Sequence, residues 1–499
     1  MGISVTKDLT IVLPYAGSEA GKNTVEGIRS QMPEAQILLL CPDSVLPLPG
    51  CRRIVVMNPS SSESLRSIST HVRTPYLALV TTAEQVSIDP DGLHRLLATA
   101  EESGAGLVYA DYYSIAANVS SEHPVIDYLE GSLRDDFDFG PVVLLNSRLF
   151  SEALEEMGMS EHFAYAGWYA ARLALSRKTT FIRIAEFLTK RRKSETVGER
   201  QFDYVNPANR DVQIEMEAGV TSHLKRIGAY LSPSFRNVER DDTPYPVVAT
   251  IVIPVKDRAQ TIGDALSSAA QQDVSFPFNI IVVDNHSTDG TSERIEAAVR
   301  GDSRIIHLIP SREDLGIGGC WNEAINDSRC GKFAIQLDSD DLYAGPDALS
   351  RMVAKLVSGP FAMVVGAYRM TDFTLNEIPP GVISHAEWTP DNGRNNVLRV
   401  NGFGAPRGFT TRILRQHPMP NVSYGEDYAV GLAISREYQI GRIFDPIYLC
   451  RRWAGNSDAN LDVVRANAHD RYKDSLRTSE LQARRTLNAS RNSATPHVE

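Results

Sequence analysis

The sequence has little cysteine, no excess of positive charge and no long apolar run. No two of its five cysteines have C-x-x-C spacing, so we expect neither a zinc ribbon nor a disulfide framework. A formal charge of −11 disfavours a nucleic-acid partner, which would require a basic face. No stretch approaches the ~20 apolar residues that a membrane-spanning helix needs. The composition therefore indicates a soluble protein with reduced, cytoplasmic thiols.

Apolar strand-like runs alternate with helical stretches along the 499 residues, a length that predicts two or three domains. Such alternation is typical of α/β folds with a mostly parallel sheet. The predicted strands of the first half are residues 9–15, 35–41, 53–57, 76–80 and 105–112. Those of the second half are residues 249–255, 279–284, 304–309, 332–338 and 361–368.

The second half of the chain repeats the first. The matching pairs are TIVLP (10–14) with TIVIP (250–254), DPDGLHRLL (89–97) with GPDALSRMV (345–353), FDFGPVVLLNSRLF (137–150) with NGFGAPRGFTTRIL (401–414), and AYAGWYAARLALSR (164–177) with SYGEDYAVGLAISR (423–436). The matches keep their order, and their offset drifts only from 240 residues (250 − 10) to 264 residues (401 − 137). We therefore predict two copies of one α/β domain.

The segments between and after the copies have helical patterns. Apolar residues recur at three- and four-residue spacing between 212 and 231, which predicts an amphipathic linker helix. A similar stripe over 461–476 predicts a C-terminal helix, followed after about residue 487 by a disordered tail. The expected organisation is a first domain over 1–195, a helical linker over 196–245, a second domain over 246–456, and a helix and tail over 457–499.

Carboxylates cluster in the second half, where three predicted strands end. Asp257 follows the first strand, Asp284 ends the second, and Asp338 and Asp340 follow the fourth. Ligands of open parallel sheets bind beyond the carboxyl ends of the strands, so these side chains are expected to converge. Two carboxylates at this spacing suit a hard cation such as Mg²⁺ or Mn²⁺. Taken alone, the sequence DSDD is equally consistent with a solvated turn or a helix N-cap.

Six motifs in the second half occur in one order. They are IVIPVKDR, VVDNHSTDGT, LGIGGCWNEA, QLDSDDLY, YGEDY and LCRRW, which lie between about residues 247 and 455. Together they resemble the family 2 glycosyltransferases of GT-A fold, including the tandem-domain hyaluronan and chondroitin synthases. The resemblance implies two tandem GT-A domains, which are Rossmann-like nucleotide-diphospho-sugar transferase domains, joined by a helical linker.

The resemblance also implies roles for individual residues. Asp427, with Glu426 beside it, matches the catalytic base. Asp338 and Asp340 match the family's DXD motif, which holds the metal and the donor. The other positions matching the nucleotide side are Pro254, Asp257, Arg258, Asp284, Asn285, Gly319, Asn322 and Ser339. Arg452, Trp453 and Arg407 are assigned to the acceptor side.

Two positions depart from the family pattern. The usual VDDGS-type turn reads VDNHS here, so Asn285 stands where an acid often helps to hold the nucleotide. Some relatives carry a metal-binding His soon after the R-W position, whereas this chain reads RRWAGNSDAN. His469 on the C-terminal helix is the candidate substitute, although a lone helical His is more often a surface or packed residue.

The first copy has lost the chemistry of the second. In the repeat alignment Asp338 and Asp340 fall on Thr81 and Ala83, while Glu426 and Asp427 fall on Gly167 and Trp168. Because the sister strand reads YLALVTTAE, the strand itself does not need DSDD to fold. We therefore expect the first copy to be degenerate. It is either a scaffold or a binding module, in which Tyr165, Trp168 and Tyr169 would stack on a sugar or fill the vacated pocket.

The expected function is metal-dependent, inverting transfer of a hexosyl or hexosaminyl group from a nucleotide sugar to a hydroxyl. Family frequency favours a UDP-sugar donor, and the carboxylates that match the DXD motif favour an Mn²⁺ or Mg²⁺ cofactor. A glycan, lipid or protein acceptor, a homo-oligomer and a peripheral position at a membrane stay open. The alternatives are a non-catalytic glycan-binding or assembly protein of the same fold and, less favoured, a phosphoryl or nucleotidyl transferase.

Overall fold

The computed structural model describes residues 5–158, 161–193, 209–239, 241, 243–456 and 461–494. Within these residues the chain divides into two compact units. The first unit contains the residues up to 193 together with 209–230 and 462–481. The second contains 231–456, Leu461 and 482–494. The boundary expected between residues 195 and 196 lies outside the described residues.

The first unit is a sheet flanked by helices. Its strands are β1 (Leu9–Pro14), β2 (Gln36–Cys41), β3 (Arg52–Val55), β4 (Tyr76–Val80), β5 (Gln85–Ile88), β6 (Leu107–Ala116), β7 (Val119–His123), β8 (Val142–Asn146) and β9 (Phe181–Arg192). Its helices are α1 (Val5–Asp8), α2 (Glu19–Gln31), α3 (Ser62–His71), α4 (Pro90–Ser103), α5 (Ser147–Met157), α6 (Gly167–Ser176) and α7 (Arg210–Arg226).

The strands of the second unit follow the same order as those of the first, with an additional helix after the second strand and another after the seventh. Its strands are β10 (Ala249–Val255), β11 (Phe278–Asp284), β12 (Ile305–Leu308), β13 (Phe333–Gln336), β14 (Leu342–Tyr343), β15 (Phe361–Thr371), β16 (Glu377–Ile383), β17 (Arg407–Thr410) and β18 (Gln439–Arg451). Its helices are α8 (Ile262–Ala270), α9 (Thr291–Gly301), α10 (Ile317–Asn326), α11 (Ala348–Val357), α12 (Gly393–Asn396), α13 (Thr411–Gln416) and α14 (Glu426–Glu437). Helix α15 (Val463–Ala494) contributes to both units.

The two sheets have one topology. Among the described residues the strand order is β3-β2-β1-β4-β8-β6-β9-β5 in the first and β12-β11-β10-β13-β17-β15-β18-β14 in the second. Strand β7 pairs with β6, as β16 pairs with β15. This correspondence, strand for strand, confirms two tandem α/β domains. The sheets are mixed rather than mostly parallel, because β8 and β17 run antiparallel to their neighbours.

The parallel half of each sheet follows from continuous apolar strands. Residues 249–253 of β10 and all seven residues of β11 are buried, as expected for strands covered by helices on both faces. Helices α8 and α11 present buried faces at three- and four-residue spacing to the same core. This packing fixes the carboxyl ends of β10, β11 and β13 at one edge of the sheet.

The linker and the C-terminus differ in detail from expectation. Helix α7 is amphipathic as predicted, but its buried face includes Gln213 and His223 beside Val220 and Leu224. It belongs to the first unit. Helix α15 continues to Ala494, so the tail predicted after residue 487 is helical up to that point. None of the helices in the described ranges has the length and apolar character needed to cross a membrane.

Candidate active site

The carboxylates of the second unit meet at the end of the parallel strands. Strand β10 pairs in parallel with both β11 and β13, with Ala249 opposite Phe278 on one side and Phe333 on the other. Asp257 therefore follows the end of β10, Asp284 closes β11, and Asp338 follows β13, all at the same sheet edge. The convergence expected from the sequence is what this register produces.

The DSDD turn is held by side chains from distant parts of the second unit. Both oxygens of Asp338 accept hydrogen bonds from Nε2 of Gln336 at 2.9 Å, and its N–H donates to the Tyr448 hydroxyl at 3.0 Å. Oδ2 of Asp340 accepts from Nε1 of Trp453 and Nδ2 of Asn456, each at 3.1 Å. These contacts show that the turn is a built site and not a freely solvated loop.

The third acid of the turn has a structural partner. Asp341 is buried, and its Oδ1 accepts the backbone N–H of Arg451 at 2.8 Å. Burial raises the pKa of Asp341 well above its usual range, and the neighbouring charges of Asp340 and Asp338 raise it further. Burial also raises the pKa of Asp338, against the opposing effect of the Arg407 guanidinium.

The second pair of acids begins helix α14. Gly425, at φ +81°, turns the chain into the helix, so that Glu426 and Asp427 occupy its first turn. Glu426 is 8% exposed, and burial together with the charge of Asp427 raises its pKa to about 8. Its Oε2 atom is buried and has no hydrogen-bond partner within the part of the chain that the structure describes. Glu426 is therefore held as a neutral acid at neutral pH.

Asp427 is paired with a cation. Its Oδ1 accepts the N–H of Tyr428 at 2.7 Å, and its Oδ2 contacts Nη1 of Arg407 in a close ion pair. Arg407 is the first residue of β17, the strand beside β13, so it reaches the carboxylates at the end of β13 as well. Burial lowers the pKa of Arg407, but the charges of Asp427 and Asp338 outweigh it and raise the pKa overall.

Asp257 and Asp284, which were assigned to the nucleotide side, both bind the segment that follows β11. Oδ1 of Asp257, at φ +51°, accepts from the backbone N–H of Thr288 at 2.8 Å. Asp284 is fully buried, and its oxygens accept from Ser287 N (3.0 Å), Ser292 Oγ (2.5 Å) and His307 Nε2 (3.1 Å). Burial would raise the pKa of Asp284, but the hydrogen bonds from Ser292 and Ser287 lower it overall. Its visible role is to hold this turn, and contact with a nucleotide stays a prediction.

The first turn of α10, which carries Gly318 and Gly319, packs against the segment that leads to α14. A Cβ on Gly318 would lie 2.0 Å from the Pro420 carbonyl oxygen, and one on Gly319 would lie 2.2 Å from Oδ1 of Asn421. Asn322 uses its whole amide on Met419, donating to its oxygen at 2.8 Å and accepting from its N–H at 3.0 Å. The roles that the structure shows for Gly319 and Asn322 are thus in packing, and their contact with a nucleotide stays a prediction.

The remaining candidates lie on several different elements. The Arg258 guanidinium donates to the Gly455 carbonyl at 3.0 Å and lies 4.0 Å from Oδ2 of Asp340 and 6.0 Å from the Trp453 ring. The backbone of Arg452 donates to Thr371 at 2.8 Å. Ser339 is buried within the turn, and Pro254 is half-buried near the end of β10. His469 lies on the part of α15 that belongs to the first unit, whereas the DSDD turn belongs to the second.

Two polar residues of this site were not identified from the sequence. Gln336 is a 2% exposed side chain in the strand FAIQL, and a polar residue there could have been noticed because the first copy has Leu79 at the same place. Asn456 binds Asp340 from a loop 116 positions away. No local pattern indicates that contact.

The corresponding site of the first unit is closed. There α6 begins at Gly167, where α14 begins at Glu426. A Cβ on Gly167 would lie 2.2 Å from the Ser62 backbone nitrogen and 2.5 Å from the Ser60 carbonyl oxygen. Tyr169 is 2% exposed, and its hydroxyl binds the Leu133 carbonyl. The first unit therefore has no space for the carboxylate that its sister carries.

Two acidic residues of the first unit, Glu84 and Asp111, are paired with arginines of the same unit. Glu84 pairs with Arg191 at 3.3 Å, and Asp111 forms a two-point contact with Arg183 at 2.7 and 2.8 Å. Glu215 of α7 accepts three successive backbone N–H groups, from residues 164, 165 and 166, at 2.7–3.0 Å. Glu84 and Asp111 are thus partners of arginine.

The metal site predicted in the second unit consists of a small set of oxygen donors. Among the described residues no group of three or more His, Cys, Asp and Glu side chains is arranged to hold a metal ion. Asp338 and Asp340 supply carboxylates only, which is the donor type preferred by Mg²⁺ and Mn²⁺. Such ions complete their shell with water and substrate phosphates, so two carboxylates fit the predicted ion.

Comparisons with known proteins show which proteins this chain resembles. Residues 250–416 match the family described as Glycosyl transferase family 2. The chain is 32% identical over 228 residues to "Glycosyltransferase AglJ" of Haloferax volcanii, which covers 44% of this chain and 69% of that protein. It is 29% identical over 129 residues to the undecaprenyl-phosphate 4-deoxy-4-formamido-L-arabinose transferase of Pseudomonas aeruginosa, covering 25% of this chain and 37% of that one. A crystal structure of S. aureus TarS 1–349 with UDP-GlcNAc aligns at 20% identity and a TM-score of 0.36, over 48% of this chain and 72% of that one.

Proposed function

The chain belongs to glycosyltransferase family 2, and from that premise we propose that its second domain is a metal-dependent, inverting glycosyltransferase. It would transfer a sugar from a nucleotide sugar, most simply a UDP-sugar, to a hydroxyl of its acceptor. The observation that carries this proposal is that two pairs of acidic residues in the second domain lie beside the same arginine. The turn bearing Asp338 and Asp340 and the helix start bearing Glu426 and Asp427 both lie beside Arg407.

The comparison within the chain supports a functional reading of these acids. The first domain keeps the strands and helices but has Thr81, Ala83, Gly167 and Trp168 at the four positions. Buried carboxylates cost free energy unless they are paired, and the sister domain shows that the fold does not require them. The second domain therefore keeps them for chemistry.

Asp338 and Asp340 would hold the divalent ion. When bound there, Mg²⁺ or Mn²⁺ would stabilise the negative charge that develops on the departing diphosphate. Arg258, 4.0 Å from Asp340, adds a fixed positive charge on the same side of the turn. Asp338, Asp340 and Arg258 would hold the departing diphosphate, and direct displacement with inversion needs Asp427 on the opposite face of the sugar.

On the nucleotide side, Asn285 offers a buried acceptor atom. Its Nδ2 donates to the Leu315 carbonyl at 2.8 Å, and its backbone N–H donates to Val255. Its Oδ1 is buried without a hydrogen-bond partner among the residues described. An N–H donor of a nucleobase, such as the imide of uracil, would satisfy this oxygen. The replacement of the family's acid by Asn285 thus keeps an acceptor at that point.

Asp427 would remove the proton from the acceptor hydroxyl as it attacks. Its helix start favours the ionised form, since negative charge is stabilised at a helix N-terminus. Glu426, neutral beside it, limits the negative charge at this point to one carboxylate. Trp453 and Arg452 lie on the loop that approaches Asp340, where we place the acceptor side. The acceptor class is a glycan, lipid or protein, and one relative is named for transfer to undecaprenyl phosphate.

For the first domain we propose a scaffold role. Gly167 packs directly on the backbone of residues 60–62, and Glu215 caps the entry to α6. A domain whose former site is filled by its own backbone and linker helix supports its neighbour and need not bind a ligand there.

Calorimetric titration of UDP, GDP and dTDP, with and without Mn²⁺, tests the proposal. We expect one Mn²⁺-dependent site per chain, with UDP preferred. Asp427→Asn should bind the nucleotide as the wild type does and should lose transfer by about 10²–10⁴-fold. Absence of binding of every nucleotide would refute the transferase in favour of a non-catalytic glycan-binding protein. Two sites per chain would refute the scaffold role of the first domain.

A further inference from the structure

A continuous chain of contacts joins the candidate metal ligand to the candidate base. Gln336 donates from Nε2 to both oxygens of Asp338 at 2.9 Å. Its Oε1 accepts the backbone N–H of Arg407 at 3.1 Å. The Arg407 guanidinium in turn pairs with Oδ2 of Asp427. All four residues in this series of contacts lie within the second domain.

The two central members are costly to bury and are not needed for the fold. Gln336 is 2% exposed, and the Arg407 side chain is 15% exposed. A buried amide or guanidinium loses its hydration and must recover it through hydrogen bonds. Among the described residues, the Gln336 amide binds Asp338 and the Arg407 backbone N–H, and the Arg407 guanidinium binds Asp427, so the presence of both side chains is tied to the site.

The first domain provides the comparison. Strand β1 pairs Leu9 with Tyr76 as β10 pairs Ala249 with Phe333, so Gln336 corresponds to Leu79. Tyr76 pairs with Asn146 as Phe333 pairs with Thr410, so Arg407 corresponds to Val143. Leu79 and Val143 are buried in the equivalent strands. The sheet thus forms with apolar residues at both positions, and the degenerate domain lacks the whole chain of contacts.

The protein groups that bind the two acids compete with the ligands that these acids would bind. A cation at Asp338 competes with the Gln336 amide for the same two oxygens. An acceptor hydroxyl at Asp427 competes with the Arg407 guanidinium for Oδ2. Because Gln336 holds both Asp338 and the Arg407 backbone, release of one contact loosens the other.

We propose that Gln336 and Arg407 are positioning residues that couple the two ends of the site, so that the base is released for the acceptor only after Asp338 has exchanged the Gln336 amide for the metal–donor complex. This inference rests on the proposed function of Asp338 and Asp427. It gives Arg407 a role between the donor and the base, in place of simple contact with the acceptor.

Mn²⁺ binding without any substrate tests the coupling, through the free-ion signal in electron paramagnetic resonance. Coupling is reciprocal, so loosening Arg407 at Asp427 must ease the release of Asp338. We expect Asp427→Asn to tighten Mn²⁺ binding by about fivefold or more when residue 336 is Gln. We expect that gain to disappear in Gln336→Leu, which carries the residue of the first domain.

Charge alone predicts the opposite result. Removing a carboxylate near Asp338 lowers the local negative potential, so through-space electrostatics would make Asp427→Asn weaken Mn²⁺ binding equally in both backgrounds. That outcome, or an unchanged affinity, overturns the coupling while leaving the metal site intact. A wild-type chain that binds no Mn²⁺ overturns the metal site and the coupling together.

Two further variants separate the effect of geometry from the effect of charge and provide a control. Arg407→Lys keeps the positive charge but loses the planar two-nitrogen fork, so it should also tighten Mn²⁺ binding if geometry carries the coupling. Thr410→Asn introduces the first domain's residue at the far end of the same strand and should leave the affinity unchanged. Should Gln336→Leu fail to fold, the sign of the Asp427→Asn effect and the response of Arg407→Lys decide between the two explanations.

Discussion

The buried acid Glu426 makes the stability of the second domain depend on pH in a direction that can be measured. Its pKa is raised from 4.5 to about 8 by burial and by the charge of Asp427. Between these values the folded chain keeps a proton that the unfolded chain has lost. Stability conferred by the protonated form is therefore complete below pH 4.5 and declines as the pH rises towards 8.

Glu426→Gln removes this dependence, because glutamine is neutral at every pH and has nearly the same shape. The unfolded glutamate is ionised at pH 7, because this pH is 2.5 units above its pKa of 4.5 (7 − 4.5). At about 1.4 kcal/mol per unit, the folded wild type loses on the order of 3 kcal/mol that the variant keeps. At pH 4, both forms of the glutamate are protonated, and the variant should have no advantage.

Urea unfolding followed by tryptophan fluorescence measures this difference, since Trp321, Trp388 and Trp453 lie in the second domain and only Trp168 in the first. We expect the free energy of unfolding of Glu426→Gln to exceed that of the wild type increasingly from pH 5 to pH 8. The exposed Glu296→Gln is the matched control. A difference that is constant with pH, or a less stable variant at pH 7, would refute the reasoning about the buried proton.

Three further outcomes are expected. Asp340→Ala should abolish the Mn²⁺-dependent part of nucleotide binding in calorimetry, and an unchanged affinity would remove Asp340 from the metal site. Gly167→Ala should lower the stability of the first domain by roughly 1–3 kcal/mol, because its Cβ would lie 2.2 Å from Ser62 N, while nucleotide binding stays as in the wild type. Trp168→Ala should leave hydrolysis of the nucleotide sugar intact. Loss of that hydrolysis in a folded protein would show that the active site had been assigned to the wrong domain.

The parallel strands and the duplication were predictable because they depend on local sequence. Strands β4 and β10 have the predicted bounds, and β2, β11 and β12 differ from them by a residue or two. Continuous runs of Ile, Val and Leu dictate buried strands wherever they occur. Strands β8, β9, β17 and β18 were not predicted as strands, and their partners are distant in sequence. Strands β8 and β17 run antiparallel to both neighbours, whereas β9 and β18 are parallel to one neighbour and antiparallel to the other.

The candidate site was predictable in its acids and not in their partners. Motif spacing placed Asp338, Asp340 and Asp427 in one domain, and the register of β10, β11 and β13 determines how the strand ends converge. The sequence did not indicate that Asn322 would bind Met419, or that Glu215 would cap the segment before α6 in the first domain. Such contacts depend on which segments the fold brings together.

The sequence by itself determined that this protein is a duplicated α/β chain with one acid-bearing copy and one copy that has lost the acids. Apolar periodicity and residue identity carry that information directly. Only the tertiary structure decided that Gln336, Arg407 and Asp427 form one chain of contacts, since the Gln336–Arg407 bond joins residues 71 positions apart. It also decided that Glu426 is buried and holds its proton to about pH 8. Burial and hydrogen-bond partners are set by the packing of the whole domain, which no local stretch of sequence specifies.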